Sequence, residues 1–340
     1  MKHWSTGIVV ACLLGIMSSS AQAQERQFSG YMFGDLFWVP THHDTTLEGS
    51  NGFWFRRIYF TFDSDLNKTL AVRLRLEMAS AGDFSTATQL LVPFVKDAYL
   101  RWLAGGTQVY LGISEPPTFR FIEKVWGYRS IEKTPVDLQR MGASRDFGVA
   151  ARGNFGDGKR FSYHAMLGNG SGNSSEVNQG KKLMLSLAYQ LTSDFTFEIY
   201  GDWNDNTRST DWFTWQGFLA YQNDKTRAGL QYVQQDRQSS GPDVRLRVLS
   251  AFGCTGISPK LNLFARVDRQ FDPNPQGDRI SYLPFATDAK STLLIGGLDF
   301  MPSEHVNLMP NAEVVLYDGA PQGENPGADV IPRVTFFYRF

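Results

Sequence analysis

The chain has 340 residues, of which 42% are hydrophobic, 20% charged and 14% aromatic, with 33 Lys and Arg set against 34 Asp and Glu. That balance argues against nucleic acid as a partner, two cysteines are too few for a disulfide scaffold or a Cys-rich metal module, and the apolar content is too high for a disordered chain. Beyond the N-terminus the longest apolar run, Leu90 to Val95, contains Pro93 and falls far short of the ~20 residues of a spanning helix.

The first element is a leader. Lys2 supplies a positive start, Gly7 to Met17 is apolar, and Ala21-Gln22-Ala23 offers small residues at both positions a signal peptidase requires. Residues 1–23 are therefore expected to be a signal peptide and 24–340 the mature domain. Removing the leader removes Cys12 and leaves Cys254 without an internal disulfide partner.

From there the chain alternates with period two. In 69–79, Leu70, Val72, Leu74, Leu76 and Met78 take one face, while Arg73, Arg75 and Glu77 take the other, as in a strand with one oily and one charged side. The pattern predicts sixteen strands, near 27–39, 52–63, 69–79, 94–103, 107–115, 145–155, 160–169, 181–191, 195–203, 212–222, 226–236, 244–257, 261–271, 291–302, 306–317 and 328–340. Pro310 and Pro332 fall inside the last two, where each removes a ladder donor. Short connections alternate with long ones, and Trp38, Trp54, Trp102, Trp203 and Trp212 collect near strand ends. Together these features predict an all-β, transmembrane antiparallel β-barrel of about sixteen strands, with short periplasmic turns and long extracellular loops, in the outer membrane of a Gram-negative bacterium. A soluble β-sandwich would also alternate, but not over so many segments of bilayer-spanning length.

If the apolar faces look at lipid, the charged faces line a lumen wide enough for water. An arginine facing mid-bilayer lipid would cost about 2–4 kcal/mol, so parity directs Arg57, Arg73, Arg75, Arg101, Arg152, Arg245, Arg247 and Arg266 inward as a ladder, with Arg333 and Arg339. The inward acids are Asp63, Glu77, Asp97, Glu198, Asp202, Asp268, Asp299 and Glu313. Such a wall either forms a path for anions or pairs internally as cross-strand salt bridges. The longest connection, Pro116 to Ser144, carries Arg120, Lys124, Arg129, Lys133 and Arg140. A loop of that length usually has a task, and it is expected to fold inward as a constriction, with a short helix at Pro135 to Met141.

Several stretches in this half of the chain are similar to one family. They are Gly52-Phe53 with Arg56-Arg57, Lys96-Asp97-Ala98-Tyr99-Leu100, Leu111-Gly112 with Pro116-Pro117, Trp126-Gly127-Tyr128-Arg129-Ser130, Arg145-Asp146-Phe147-Gly148-Val149, and Leu167-Gly168-Asn169-Gly170 followed by Lys181-Lys182. In that order the chain resembles the phosphate-selective porins O and P over most of residues 50–190. The resemblance implies a sixteen-stranded trimeric porin with an inward third loop and an arginine ladder.

Other chemistry finds little support. After the leader the histidines are His42, His43, His164 and His305. Adjacent His42 and His43 are poor co-ligands for one ion, and no GxSxG or similar motif accompanies His164. The expectation is a passive porin without catalytic, metal or cofactor site. Its expected partners are small hydrophilic solutes or anions, outer-membrane lipid and two further copies of itself as a homotrimer. The competing readings are a structural or adhesive barrel with a plugged lumen, and a barrel hydrolase.

Overall fold

The computed structural model describes residues 26–84, 90–175, 179–205, 210–321 and 323–340; the expected leader lies outside them. Among the described residues, the first half of the sheet holds β1 (Arg26–Trp38), β2 (Asn51–Asp65), β3 (Leu70–Ala79), β4 (Val92–Ala104), β5 (Thr107–Ser114), β6 (Asp146–Phe155), β7 (Phe161–Gly168) and β8 (Lys182–Gln190). The second half holds β9 (Phe195–Asn204), β10 (Trp212–Gln222), β11 (Thr226–Arg237), β12 (Val244–Ser258), β13 (Leu261–Gln270), β14 (Lys290–Ser303), β15 (Val306–Asp318) and β16 (Asp329–Arg339). Every strand is antiparallel to its chain neighbours, and β1 pairs with β16. The sixteen strands thus close into a barrel with no free edge, as a bilayer demands of a sheet. Pro310 and Pro332 break neither β15 nor β16; they lie opposite Val334 and Ala312.

The alternation read from the sequence becomes an inside and an outside. Outward positions carry Leu74, Leu111, Leu185, Ile199, Leu230 and Leu263, each between 44% and 56% exposed. An exposed apolar belt of this kind is stable only against lipid. Inward positions carry the charges: Arg73 lies opposite Asp63, Arg75 opposite Thr61 and Glu77 opposite Tyr59.

Of the four register breaks in the described sheet, two move charged side chains. Between β1 and β2 the register steps from Phe33 opposite Arg57 to Gly34 opposite Phe55, so Arg56 has no rung. Between β3 and β4 it steps from Arg75 opposite Asp97 to Leu76 opposite Val95, leaving out Lys96. A bulged residue is freed from the pleat and can be re-aimed. Arg56 and Lys96 are both buried and make ion pairs with inward carboxylates, Asp35 and Glu77. Each bulge therefore delivers two neighbouring polar side chains, Arg56 with Arg57 and Lys96 with Asp97, to the same face.

Two long loops fill part of the lumen. The third, residues 115–145, contains α1 (Arg120–Trp126) and α2 (Pro135–Leu138). Gly127 ends α1 in the left-handed region, φ 71°, and donates to the Glu123 carbonyl at 2.9 Å, a conformation glycine adopts without a Cβ penalty. Ile122, Val125 and Trp126 are buried with Phe218, Phe252 and Phe264 of the wall. Phe119, Val136 and Met141 pack on Val233, Leu246 and Val248. The seventh long loop, residues 271–289, adds buried Ile280, Leu283 and Phe285 to this core, an insertion that strand alternation does not predict.

This interior core overturns one expectation. Arg245 and Arg247 do not point inward. Leu246 and Val248 take the lumen side because the third loop offers them apolar partners there, and burial of each such side chain stabilises by about 1.5–3 kcal/mol. The two arginines face outward at the long-loop end of β12, paired with Asp236 at 2.5 Å and Asp272 at 2.7 Å. At that depth an outward arginine costs only about 0–1 kcal/mol.

Candidate functional site

The remaining ladder arginines, Arg57, Arg73, Arg75, Arg101, Arg152 and Arg266, all face inward, but they fall into two groups. Arg266 is buried beneath the third loop, where it pairs with Asp268 and donates to the Lys133 carbonyl at 2.6 Å. Arg57 pairs with Glu77 at 2.6 Å and donates to the Tyr282 hydroxyl at 3.1 Å. These two brace loops. Arg73, Arg75, Arg101 and Arg152 instead line open cavities along β3 to β6. Arg73 pairs with Asp63 at 2.7 Å, Arg75 with Asp97 at 3.3 Å and Arg101 with Asp65 at 3.5 Å. Arg152 is the least neutralised. It donates to Gln108 at 3.1 Å and to the Tyr110 hydroxyl, lies 4.5 Å over the Tyr110 ring, and comes only within 4.0 Å of Glu115.

The loop residues divide in the same way. Arg120 and Lys124 face the cavity. Arg129 joins Glu123 at 3.2 Å to Asp137 at 3.1 Å and so ties α1 to α2. Lys133 is buried. Arg140 sits away from the open space and donates to the Arg279 carbonyl at 3.1 Å. The structure thus brings Arg73, Arg75, Arg120, Lys124 and Arg152 to one side of the lumen and leaves Arg129, Lys133 and Arg140 out of that group.

What holds the loop is a set of hydrogen bonds and ion pairs with wall side chains, several of which donate to its backbone. Arg56 donates to the Ile131 carbonyl and pairs with Glu132 at 3.3 Å, while its Nε lies 2.6 Å from Asp35. Gln216 donates to the Thr118 carbonyl at 3.1 Å and Gln235 to that of Met141 at 2.5 Å. Lys96 reaches the Ser144 hydroxyl at 2.8 Å, and Tyr128 donates to Asp299 at 3.1 Å. Backbone carbonyls buried in an irregular loop need such partners, and here the wall supplies them. The loop is a fixed internal wall. Tyr282 of the seventh loop, held at φ 71°, donates to the Arg56 and Ser80 carbonyls at 3.1 and 2.7 Å, which locks the second inward loop to the same arginine.

With both loops packed over the second half of the barrel, open space remains along β2 to β9. A neck is lined by Arg73, Arg75, Arg120, Arg145 and Arg152 with Asp97 and Glu115. It shares Arg73 and Tyr99 with a cavity that opens beside the β2–β3 turn. It shares Arg120, Arg152 and His164 with a larger one of about 490 Å3. Arg145, which pairs with Asp97 alongside Arg75, is absent from the ladder read by parity, although it opens one of the motifs that carry the family resemblance. Lys182, paired with Asp202 at 3.0 Å, is a second inward cation the parity reading misses.

His42, His43 and Asp329 converge at the long-loop end, with ligand atoms within 4.8 Å of one another. Their hydrogen bonds describe a latch. Asp329 accepts from the His43 backbone N–H at 2.6 Å and from the Tyr317 hydroxyl at 2.5 Å, with His43 Nδ1 at 2.9 Å. His42 Nδ1 accepts from the Asp44 N–H at 3.0 Å, and burial lowers the His42 pKa. The neutral ring then carries its proton on Nε2, the atom facing Asp329, which does not suit that nitrogen to a metal.

No family model matches the chain, and no curated protein does. Solved structures do match. The anion-selective porin from Comamonas acidovorans has a TM-score of 0.67 at 12% identity, covering 93% of this chain and 100% of its own. OmpF of Salmonella typhi, in complex with daunomycin, has 0.65 at 12%, covering 95% and 100%. OmpT of Vibrio cholerae has 0.63 at 12%, covering 95% and 99%, and a trimer form of it matches as well. The shared fold and the oily belt make this chain an outer-membrane β-barrel. The expectation that it has no enzymatic activity does not stand, because the matches reach OmpT as well as porins, and likeness at this identity carries the fold and no chemistry.

Proposed function

We propose that the barrel is a passive, water-filled channel for small hydrophilic solutes, that it prefers anions, and that it works as a homotrimer. The observation that supports the preference is the neck, where five arginines meet two carboxylates. Even with Asp63 of the adjoining cavity, which pairs with Arg73, the arginines there outnumber the carboxylates. Fixed guanidiniums beside a water path raise the local concentration of anions and offer phosphate or carboxylate groups forked donors. The porin fold of the matched structures, one of them an anion-selective porin, and the trimer form of another point the same way. Phosphate is one solute of this class, as the resemblance to the phosphate-selective porins implies.

Reversal potential across a planar bilayer in a KCl gradient tests the reading. The native channel should report anion preference. Replacing Arg75, Arg120 and Arg152 with Glu should reverse its sign. Arg247→Glu, on the outside of β12, should leave it in place. Absence of conductance would favour a plugged barrel, and an unmoved potential in the triple variant would refute the role of the neck. Migration of the unheated protein at three times its monomer mass would support the trimer.

A further inference from the structure

The cavity of about 490 Å3 has an unusual carboxyl at its far wall. Glu198 on β9 and His164 on β7 both line it, together with Ser186 on β8. Ser186 donates to Glu198 Oε2 at 2.6 Å, whereas Glu198 Oε1 and His164 Nδ1 are buried with no hydrogen-bond partner. Glu198 is 4% exposed, and its electrostatic surroundings contain no cation, only burial and the Ser186 hydroxyl. Among the described residues Asp63, Glu77, Asp97 and Asp268 have cations in Arg73, Lys96, Arg75 and Arg266, and Asp299, which has none, accepts from Tyr128, Asn262 and Asn307 instead. An ionised carboxyl held against water without a counter-charge is costly, so a cation that a solute brings to Glu198 would supply the contact the wall leaves unmade.

Across the same cavity the imbalance is of the opposite sign. Lys124 is exposed on α1 and has no carboxylate partner among the described residues, and Arg152 comes no nearer than 4.0 Å to one. Arg152 and His164 are direct cross-strand partners, as are His164 and Ser186. Glu198 lies opposite Ala188, two residues along β8 from Ser186, so the cationic and acidic ends lie three strand spacings apart, roughly 14 Å across the strands, at two ends of the one cavity. We infer that this cavity is a binding subsite for small zwitterions, solutes with an ammonium at one end and a carboxylate at the other. The ammonium meets Glu198, its charge-assisted hydrogen bonds satisfying Oε1; the carboxylate meets Lys124 and Arg152. A dicarboxylate brings like charge to Glu198 and a diamine brings like charge to Lys124 and Arg152, so each fits one end and is opposed at the other. The inference rests on the channel reading and narrows it to a solute class.

Three probes of one length and different end charges separate the possibilities: 6-aminohexanoate, adipate and 1,6-diaminohexane, titrated against the KCl current of the reconstituted full-length mature protein. The native channel should be interrupted by 6-aminohexanoate at about tenfold lower concentration than by either of the others, the size of one charge-assisted contact. Glu198→Gln should raise the aminohexanoate concentration to that of adipate, and Lys124→Gln, on an exposed position that folding does not depend on, should also weaken it. If adipate blocks the native channel as well as or better than 6-aminohexanoate, the subsite is wrong whatever the variants do. A native channel equally blocked by all three overturns it too, while leaving the channel reading intact. A native protein without any KCl current fails at the earlier step.

Discussion

Arg56 shows how much a single side chain carries in this barrel. Its guanidinium lies 2.6 Å from Asp35, 3.3 Å from Glu132 and 3.7 Å from Glu313, and all four groups are buried. Removing one partner of such a cluster strands the others as uncompensated buried charge, at a cost of about 3–5 kcal/mol. Arg56→Ala should therefore lower the urea midpoint of barrel unfolding and, by freeing Ile131 and Glu132 of the third loop, enlarge the single-channel conductance. Arg56→Lys keeps the charge but loses the forked geometry and should fall between. A variant with unchanged conductance would show that the loop holds its place without Arg56. Glu123 makes a second residue-scale case. Desolvation in the folded loop pushes its carboxyl up to about 7, against the pull of Arg129. The fold therefore favours its neutral form, and the stability it contributes is present at acid pH and fades as pH rises through 7. Glu123 is close enough to Arg145 and Glu115 for their charges to act on it, so protonation removes a negative charge beside the neck. Anion preference should rise as pH falls from 8 to 6, and Glu123→Gln should flatten that change. A native channel with the same reversal potential at both pH values would contradict this.

At the scale of strands and loops, the difference between what was legible and what was not has a physical cause. Period-two alternation identifies a strand wherever its two faces meet different media, and sixteen such segments in the sequence became β1 to β16. Alternation does not say which face is inside. On β3 the apolar side meets lipid, and Arg73 and Arg75 point inward as parity suggests. On β12 the apolar side meets a folded loop, so the same pattern reads in reverse and Arg245 and Arg247 point out. Bulges hide from parity for a related reason: one unpaired residue puts Arg56 beside Arg57, and Lys96 beside Asp97, on a single face. Both dipeptides stand in the stretches that carry the family resemblance, which was a signal of their position that periodicity lacks. The seventh loop left a trace as well, since Ile280, Tyr282, Leu283 and Phe285 form an apolar run where an exposed loop would be polar. The reversed register of β12 can be tested by packing. Leu246 is fully buried and Leu249 is 39% exposed on the outer surface. Leu246→Ala should destabilise the barrel by about 2–5 kcal/mol through the cavity it leaves, and Leu249→Ala by clearly less. Equal urea midpoints would return Leu246 to the lipid side.

For the molecule as a whole, the consequence of two inward loops is an eccentric open space, and on the channel reading an eccentric pore. The half of the lumen behind β10 to β16 is occupied by a packed core, and a cavity remains on the side where Arg73, Arg75, Arg145 and Arg152 stand. Inward-facing charge is therefore not equivalent around the barrel. A charge about 8 Å from a permeating ion acts through water with about 0.5 kcal/mol, close to RT, which changes anion and cation occupancy by roughly a factor of two each in opposite directions. Salt at physiological strength screens over about the same 8 Å, so the effect is clearest at low ionic strength. Arg75→Gln and Arg152→Gln should each lower the anion-to-cation permeability ratio by about fourfold in dilute KCl. Arg266→Gln and Arg333→Gln remove guanidiniums that face inward just as truly. Both are sealed behind the loops, Arg333 between Glu313 and Asp35 at 3.0 and 3.3 Å, and their loss should appear as a lowered unfolding midpoint with the permeability ratio of the folded channels little changed. Were all four variants to shift selectivity alike, the ion path would have to run on both sides of the third loop, and the barrel would be open where its packing now closes it.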